Sequence, residues 1–143
     1  MTDPVSDVYT AQIQVRWGDS DRLGHVNNTR YVEYMQEARI QFLEAKLAPL
    51  GGRPGYLVVR KMTIEFLKPV TDRSGPLNVE IFTTHVGTSS FTVRHVIRDN
   101  AGVECAFGDA LMVGFDTVSE KSRPLADSER AVLEASLVQM TTS

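Results

Sequence analysis

The chain has 143 residues, of which 42% are hydrophobic and 23% are charged, and this composition is typical of a globular domain rather than of a disordered segment. Its net charge of -3 argues against a nucleic-acid-binding protein, because such proteins are usually basic. Its only cysteine, Cys105, excludes an internal disulfide bond and a zinc site built from several thiolates. We therefore expect residues 1–143 to form a single domain.

The sequence contains no apolar run of about 20 residues, so we expect no transmembrane helix. The segment from Met1 to Pro4 has no basic residue and no apolar run, so it does not have the pattern of a signal peptide. A cytoplasmic protein without a membrane partner is the expectation that follows.

The N-terminal part is predicted to form a strand, a polar loop and a long helix. Alternating apolar residues predict a half-buried strand from Tyr9 to Trp17. A helix is predicted from about Thr29 to about Ala48, and Pro49 with the pair Gly51-Gly52 ends it. The apolar positions of this helix recur at spacings of four and three: Tyr31, Met35, Ala38, Phe42 and Ala45.

The remaining chain is predicted to form four strands and a short helix. The strands run from Tyr56 to Leu67, from Leu77 to Val86, from Phe91 to Ile97 and from Val103 to Phe115. Hairpin turns are predicted at residues 87–90 and 99–102. The C-terminal helix is capped by Asp127 or Ser128 and carries Val132, Leu133 and Leu137.

This order predicts an α+β fold, with an antiparallel five-stranded sheet around one long helix and a short C-terminal helix. Three of the strand connections are short, so we expect the strands that they join to be antiparallel neighbours. The sheet has open edges, and an open edge invites pairing with a second copy of the chain. A homodimer with a continuous sheet is therefore expected.

Two histidines in the sheet raise the question of a metal site. A two-residue turn would place His85 opposite Thr92 on the next strand. The same register would place His95 opposite Phe82, so the histidines would lie about 10 Å apart, too far to share an ion. Cys105 lies in an apolar alternation and is expected to be buried and inert. We predict no metal and no cofactor.

The loop between the first strand and the helix concentrates polar side chains. It carries the carboxylates Asp19 and Asp21, the imidazole of His25 and the amides Asn27 and Asn28. Polar groups at this junction favour a functional site, because the first turn of a helix has unpaired N–H groups and a positive dipole end.

Each of these residues also has a simpler interpretation. Asp21 alone is compatible with a loop acid that favours the helix dipole, and His25 alone with an ordinary surface histidine. Asp19 is expected to bind loop N–H groups, as Asp does in turns. Asn28 and Thr29 are compatible with helix caps, a role that does not conflict with an oxyanion hole on the same N–H groups.

The element order and three motifs resemble the hot-dog-fold acyl-CoA thioesterases of the 4-hydroxybenzoyl-CoA thioesterase type. The motifs are Trp17-Gly18-Asp19-Ser20-Asp21, Gly24-His25-Val26-Asn27-Asn28 and Glu37-Ala38-Arg39, and the likeness covers the chain from about residue 9 to 137. The resemblance implies hydrolysis of an acyl-CoA to a free acid and coenzyme A without a cofactor. It also implies a homodimer or homotetramer with active sites at the dimer interface.

The resemblance also assigns roles to residues. It implies that Asp21 is the catalytic carboxylate, which attacks the thioester carbonyl or activates water, and that the backbone N–H groups of Asn27 and Asn28 form the oxyanion hole. His25 would orient Asp21 or water, and the Asn27 side chain would hydrogen-bond the thioester. Tyr31, Met35 and Phe66 are expected to bind the acyl group.

Two departures from the benzoyl-type motif bear on the substrate. The His25-Val26-Asn27-Asn28 form resembles members that act on fatty acyl groups, so an aliphatic substrate is favoured over an aromatic one. Some relatives place basic residues at the turn corresponding to residues 88–90 to hold the coenzyme A phosphates, and this chain has none there. The alternative basic residues are Arg60, Lys61, Lys68 and Arg123.

Two other functions remain open on the same fold. One is a hydratase or dehydratase of acyl thioesters, although such relatives usually place a histidine and an acid in a different motif. The other is a module that binds acyl-CoA without cleaving it. Release of a free thiol from acyl-CoA distinguishes the thioesterase from both.

Overall fold

The structure is a computed structural model that describes residues 8–51 and 55–139. Its strands are β1 (Tyr9–Ile13), β2 (Leu57–Phe66), β3 (Leu77–Val86), β4 (Ser90–Arg98), β5 (Glu104–Asp116) and β6 (Lys121–Ser122). Its helices are α1 (Asn28–Leu47) and α2 (Asp127–Ala135), with one-turn 3-10 helices at Trp17–Asp19 and Ala48–Leu50. Gly52, the second glycine of the predicted helix stop, lies outside the described residues.

The strands form one antiparallel sheet around α1, as the sequence predicts. The order is β1-β3-β4-β5-β2, and the two-residue strand β6, which the sequence analysis did not predict, pairs with β5. Alternate residues of β3 and β4 are buried, and they pack with the apolar side of α1 in one core. Helix α1 approaches β5 closely at Gly108, where an added Cβ atom would lie 2.8 Å from Met35 Sδ. No helix of the described ranges is long and apolar enough to cross a membrane.

The first strand is shorter than predicted. It ends at Ile13, and Trp17, which we expected on its buried face, is 91% exposed. The chain turns here because Arg16 N–H donates to Asp19 Oδ2 at 3.0 Å and Asp19 N–H donates to the Arg16 carbonyl at 2.9 Å. This pair of hydrogen bonds closes the 3-10 turn and moves the indole away from the core.

The prediction that β2 and β3 are neighbours is wrong. β2 pairs with β5 and β3 pairs with β1, so the two strands lie far apart in the sheet. The connection between them is held by the loop before α1: Val26 N–H donates to the Val70 carbonyl at 2.7 Å, and His25 forms a β-bridge with Thr71. The rule that short connections join neighbours fails here because the connection pairs with another loop instead of forming a hairpin.

The register predicted for the histidines is half right. His85 lies opposite Thr92, but His95 lies opposite Ile81 instead of Phe82, because the register shifts between Thr83 and His85. The irregularity adds one residue on β3, a β-bulge that the hairpin turn does not reveal.

His95 is fully buried and has a partner at both ring nitrogens. Its Nδ1 is 3.0 Å from the Gly108 carbonyl, and its Nε2 is 3.1 Å from Nη1 of the buried Arg39. Because the guanidinium can only donate, Nε2 accepts and Nδ1–H donates to the carbonyl, so the imidazole is neutral. Burial, together with the charge of Arg39, lowers the pKa of His95 to about 4. Burial also lowers the pKa of Arg39 to about 10.

The helices begin close to their predicted starts, with differences in capping and in which side chains are buried. Asn27 is the N-cap of α1, and Ala45, one of the recurring apolar positions of the predicted helix, is exposed. The N-cap of α2 is Ala126 rather than Asp127 or Ser128, and its N–H donates to Glu129 Oε1 at 2.9 Å. Leu137 lies beyond the end of α2 and forms a β-bridge with Thr83. Cys105 is buried, as predicted, and burial raises the pKa of its thiol.

Candidate active site

A cavity of about 430 Å³ opens between the loop before α1 and the segment that follows β2. Its lining residues are Asp21, His25, Val26, Asn27, Asn28, Tyr31, Phe66, Leu67, Lys68 and Pro69. Six of the seven residues expected at the site therefore line one cavity. The exception is Met35, which is fully buried against Gly108 and does not line the cavity, because the close approach of α1 to β5 places it in the core.

The loop from Asp19 to Asn27 is closed by cross-loop hydrogen bonds. Asn27 N–H donates to the Asp19 carbonyl at 3.0 Å, Asp21 N–H donates to the His25 carbonyl at 2.7 Å, and Ser20 and Val26 form a β-bridge. The tip turns at Gly24, whose φ of 80° is strained for any residue with a Cβ atom. A short antiparallel stem therefore holds Asp21 on one side and the start of α1 on the other.

The Asp21 carboxylate uses only one of its oxygen atoms within the loop. Oδ1 accepts hydrogen bonds from Leu23 N–H at 2.9 Å and from His25 N–H at 3.2 Å. Oδ2 has no hydrogen-bond partner among residues 8–51 and 55–139. The backbone of His25 orients the carboxylate, whereas its imidazole makes no hydrogen bond to Asp21 in that part of the chain. One oxygen thus remains for a substrate or for water.

The helix start has one N–H group available instead of the expected pair. Asn27 N–H already donates to the Asp19 carbonyl, so it is not an available oxyanion donor. The Asn27 side chain caps α1 through Oδ1, which accepts from Thr29 N–H and from Thr29 Oγ1–H, both at 3.0 Å. Asn28 N–H, at the first helical position, has no acceptor in the described part of the chain, and Asn28 lines the cavity.

Asp19 has the structural position that the sequence analysis expected. It is 5% exposed, and its Oδ2 accepts from Arg16 N–H at 3.0 Å and from Tyr34 O–H at 2.6 Å. Arg30 Nε lies 3.6 Å from its Oδ1. Burial, with the hydrogen bond and charge of Asp19, raises the pKa of Tyr34, so this hydroxyl remains a donor. This hydrogen bond was not predicted from the sequence; the signal for it was a tyrosine at a buried helical position.

One wall of the cavity is aromatic. The rings of Tyr31 and Phe66 pack edge to face with their centroids 5.0 Å apart. The Tyr31 hydroxyl oxygen accepts from Val70 N–H at 3.0 Å and so holds the segment after β2 against α1. Phe66 is 47% exposed although it lines the cavity, so an apolar face remains open to a ligand or to a second chain.

Of the four basic residues considered for phosphate contacts, Lys68 is the one that lines the cavity. Its ammonium group lies 2.9 Å from Asp99 Oδ2, and that hydrogen bond raises the pKa of Lys68. Arg123 forms an ion pair with Glu129 at 2.9 Å instead.

The turn at residues 87–90 contains no basic residue, but a basic side chain from elsewhere in the chain reaches it. Arg130 of α2 donates from Nη2 to the Gly87 carbonyl at 2.8 Å and to the Thr88 carbonyl at 3.1 Å. This contact was not predicted from the sequence, because Arg130 lies more than 40 positions away along the chain.

Comparison with known proteins gives consistent results. The model of the Thioesterase-like superfamily matches residues 15–135. A putative thioesterase from Pseudomonas aeruginosa is 36% identical, with 85% of this chain and 95% of that chain covered and a TM-score of 0.74. A thioesterase from Thermus thermophilus, solved with coenzyme A and zinc, is 28% identical, with 88% and 91% covered and a TM-score of 0.74. A predicted thioesterase from Bacillus stearothermophilus is 23% identical, with 94% and 100% covered and a TM-score of 0.81.

The sheet wrapped around α1 is therefore the hot-dog fold of the thioesterases, as the resemblance implied. The chain belongs to the thioesterase-like superfamily, and it is a thioester hydrolase. Within the described ranges, no three His, Cys, Asp or Glu residues are placed to hold a metal ion.

Proposed function

We propose that the protein hydrolyses an acyl-CoA thioester to a free acid and coenzyme A, with Asp21 as the catalytic carboxylate. One observation carries this proposal: a carboxylate oxygen of Asp21 and the N–H of Asn28 both lack protein partners among the described residues, and both residues line one cavity. A thioester carbonyl needs a nucleophile or base on one side and a hydrogen-bond donor for its oxygen on the other. The two groups supply these parts.

The proposed hydrolysis has two possible routes, one with a covalent intermediate and one with direct attack by water. In the first, an Asp21 oxygen attacks the carbonyl carbon, the C–S bond breaks, and water then hydrolyses the mixed anhydride and regenerates the carboxylate. In the second, Asp21 takes a proton from a water molecule as that water attacks the carbonyl carbon. The thiolate that leaves is protonated in either case. Asn28 N–H stabilises the negative charge that develops on the carbonyl oxygen in both routes.

The substrate is proposed to be a coenzyme A thioester with an aliphatic acyl group, and an aromatic acyl group is the alternative. The coenzyme A complex of the Thermus thermophilus relative supports the choice of thiol. The wall made by Tyr31 and Phe66 supplies apolar surface for the acyl group. Lys68 is the cation placed to meet an anionic group at the cavity, and its ion pair with Asp99 would have to open or be shared.

The active form is proposed to be a homodimer, or a tetramer built from dimers. Only one edge of β2 is paired within the described chain, and its exposed side chains include Val59 and Phe66. Pairing of two β2 strands would cover these side chains and continue the sheet. Sedimentation as a monomer at micromolar concentration would contradict this. A cytoplasmic location and a single domain over residues 1–143 remain predictions from the sequence.

The test is free thiol release from short, long and aromatic acyl-CoAs by the wild type and by Asp21→Asn. The substitution keeps the volume of the side chain and removes its charge, so we expect kcat to fall by at least about 100-fold. The matched control is Asp127→Asn, which removes an exposed carboxylate outside the cavity and should leave kcat unchanged.

Wild-type binding of acyl-CoA without thiol release from any substrate would favour the binding module. Water addition to, or loss from, the acyl group, with the thioester intact, would favour the hydratase or dehydratase. Equal activity of the wild type and Asp21→Asn would contradict the role of Asp21 and leave His25 and Asp19 as the residues to test.

A further inference from the structure

Asp19 joins three segments of the chain around the site. Its side chain accepts from Arg16 N–H after β1 and from Tyr34 O–H on α1, and its carbonyl accepts from Asn27 N–H. The bond from Tyr34 is short, at 2.6 Å, and both residues are buried. A hydrogen bond to a carboxylate in a buried place is among the stronger ones in proteins.

The hydrogen bond from Asn27 N–H to the Asp19 carbonyl forms the base of the loop from Asp19 to Asn27. Asp21 follows Asp19 by two residues on one side of this bond, and Asn28 follows Asn27 on the other. The position of the carboxylate relative to the free N–H therefore depends on how firmly this base is held. Asn27 is also restrained through its side chain, whose Oδ1 accepts hydrogen bonds from Thr29 N–H and Thr29 Oγ1–H.

Tyr34 and Asn28 are on the same helix, six residues apart, so they move together as one rigid unit. A bond from Tyr34 to Asp19 thus fixes the distance between this unit and the loop that carries Asp21. Misplacement of reacting groups by about 1 Å lowers rates by about 100-fold in enzymes.

We propose that Asp19 and Tyr34 are positioning residues, which hold the Asp21 carboxylate and the Asn28 N–H at the separation that the reaction needs. This inference rests on the proposed thioesterase function. Neither residue lines the cavity, so we expect neither to contact the substrate or to exchange a proton with it. Their loss should therefore reduce the rate of the chemical step and leave the binding of coenzyme A unchanged.

The test compares kcat, KM and the Kd for coenzyme A in Tyr34→Phe and in the wild type, at a temperature at which both are fully folded. We expect kcat to fall about tenfold or more, while KM and the Kd for coenzyme A change less than twofold. Tyr9→Phe is the matched control: Tyr9 is a partly buried tyrosine whose ring packs on Phe42, and its hydroxyl has no hydrogen-bond partner in the described chain. It should keep the wild-type kcat.

A graded pair at Asp19 gives a second readout that does not depend on Tyr34. Asp19→Asn keeps one acceptor oxygen and should retain more of kcat than Asp19→Ala, which keeps none. If Asp19→Ala does not fold, Asp19→Asn and Tyr34→Phe still decide the question. Values of kcat within twofold of the wild type in both would overturn the inference. Absence of thiol release in the wild type would instead overturn the proposed function, so the two failures are distinguishable.

Discussion

Polar groups lie against α1 both at the middle of the helix and at its N-terminal end. The two sets differ in whether they have hydrogen-bond partners. In the middle, the buried His95 has partners at both nitrogens, Arg39 and the Gly108 carbonyl. At the end, Asp21 and Asn28 each keep one group without a partner in the described chain, beside an open cavity. A buried polar group without a partner lowers the stability of the fold, whereas an unpaired group at a cavity is available to a ligand. The two regions therefore differ in role: the first is structural, and the second is the proposed reactive region.

In the structural region we expect the larger effect on stability. It should appear as a dependence of the free energy of unfolding on pH. The pKa of His95 is lowered from its ordinary value of 6.5 to about 4. Between these values the unfolded chain binds more protons than the folded chain, so stability falls as the pH is lowered. The free energy of unfolding should drop by about 3 kcal/mol over the whole range, of which about 1.5 kcal/mol falls between pH 6.5 and 5.

Urea unfolding of the wild type and of His95→Gln between pH 5 and 6.5 measures this effect. The pKa values of Asp99, Asp116 and Glu129 are also lowered, so these carboxyls titrate mainly below that window. His95→Gln should lose the slope, and His85→Gln, a change at an exposed strand position, should keep it. An unchanged slope in His95→Gln would show that the buried imidazole is not the source.

In the proposed reactive region we expect a smaller effect on stability, at the turn of the loop from Asp19 to Asn27. Gly24 has a φ of 80°, and an added Cβ atom would meet no other atom within 4 Å, so the cost of Gly24→Ala comes from the backbone alone. We expect it to lower the free energy of unfolding by about 1 kcal/mol. Gly18→Ala is the control, because Gly18 also has open space around it and has no positive φ. Equal stability of the two variants would mean that the loop tip relaxes without strain.

Much of the fold was predictable because each element has its own periodic pattern. The start of α1 and the extents of β3 and β5 were predicted within one residue, since apolar residues recur at helical or alternating spacing there. The errors are non-local. The separation of β2 from β3 depends on hydrogen bonds from the loop before α1 to Val70, and the position of His95 depends on a bulge. No pattern within a single element encodes either.

The site was predictable in its residue types but less so in its hydrogen bonds. Asp21 and Asn28 were predicted to lie at one site, because polar side chains precede a helix start and because their motifs resemble those of the thioesterases, and both residues line the cavity. The hydrogen bond from Asn27 N–H to the Asp19 carbonyl was not predictable, because it forms only when the loop closes on itself. Arg130 was missed for a similar reason, because α2 must fold back onto the turn after β3 before its side chain can reach the Gly87 carbonyl.

In the proposed mechanism the unpaired N–H of Asn28 stabilises the oxyanion, and the variant Asn28→Pro removes this N–H. Proline removes this N–H and is favoured at the first position of a helix, and the extended Asn27 before it, with φ -64° and ψ 140°, is compatible with a following proline. Asn28→Ala is the control, since it removes the side chain and keeps the N–H. Kinetics of thiol release should show a fall in kcat of about 100- to 1,000-fold for Asn28→Pro and a much smaller change for Asn28→Ala, with both variants folded. A folded Asn28→Pro variant with the kcat of Asn28→Ala would show that Asn28 N–H does not stabilise the oxyanion.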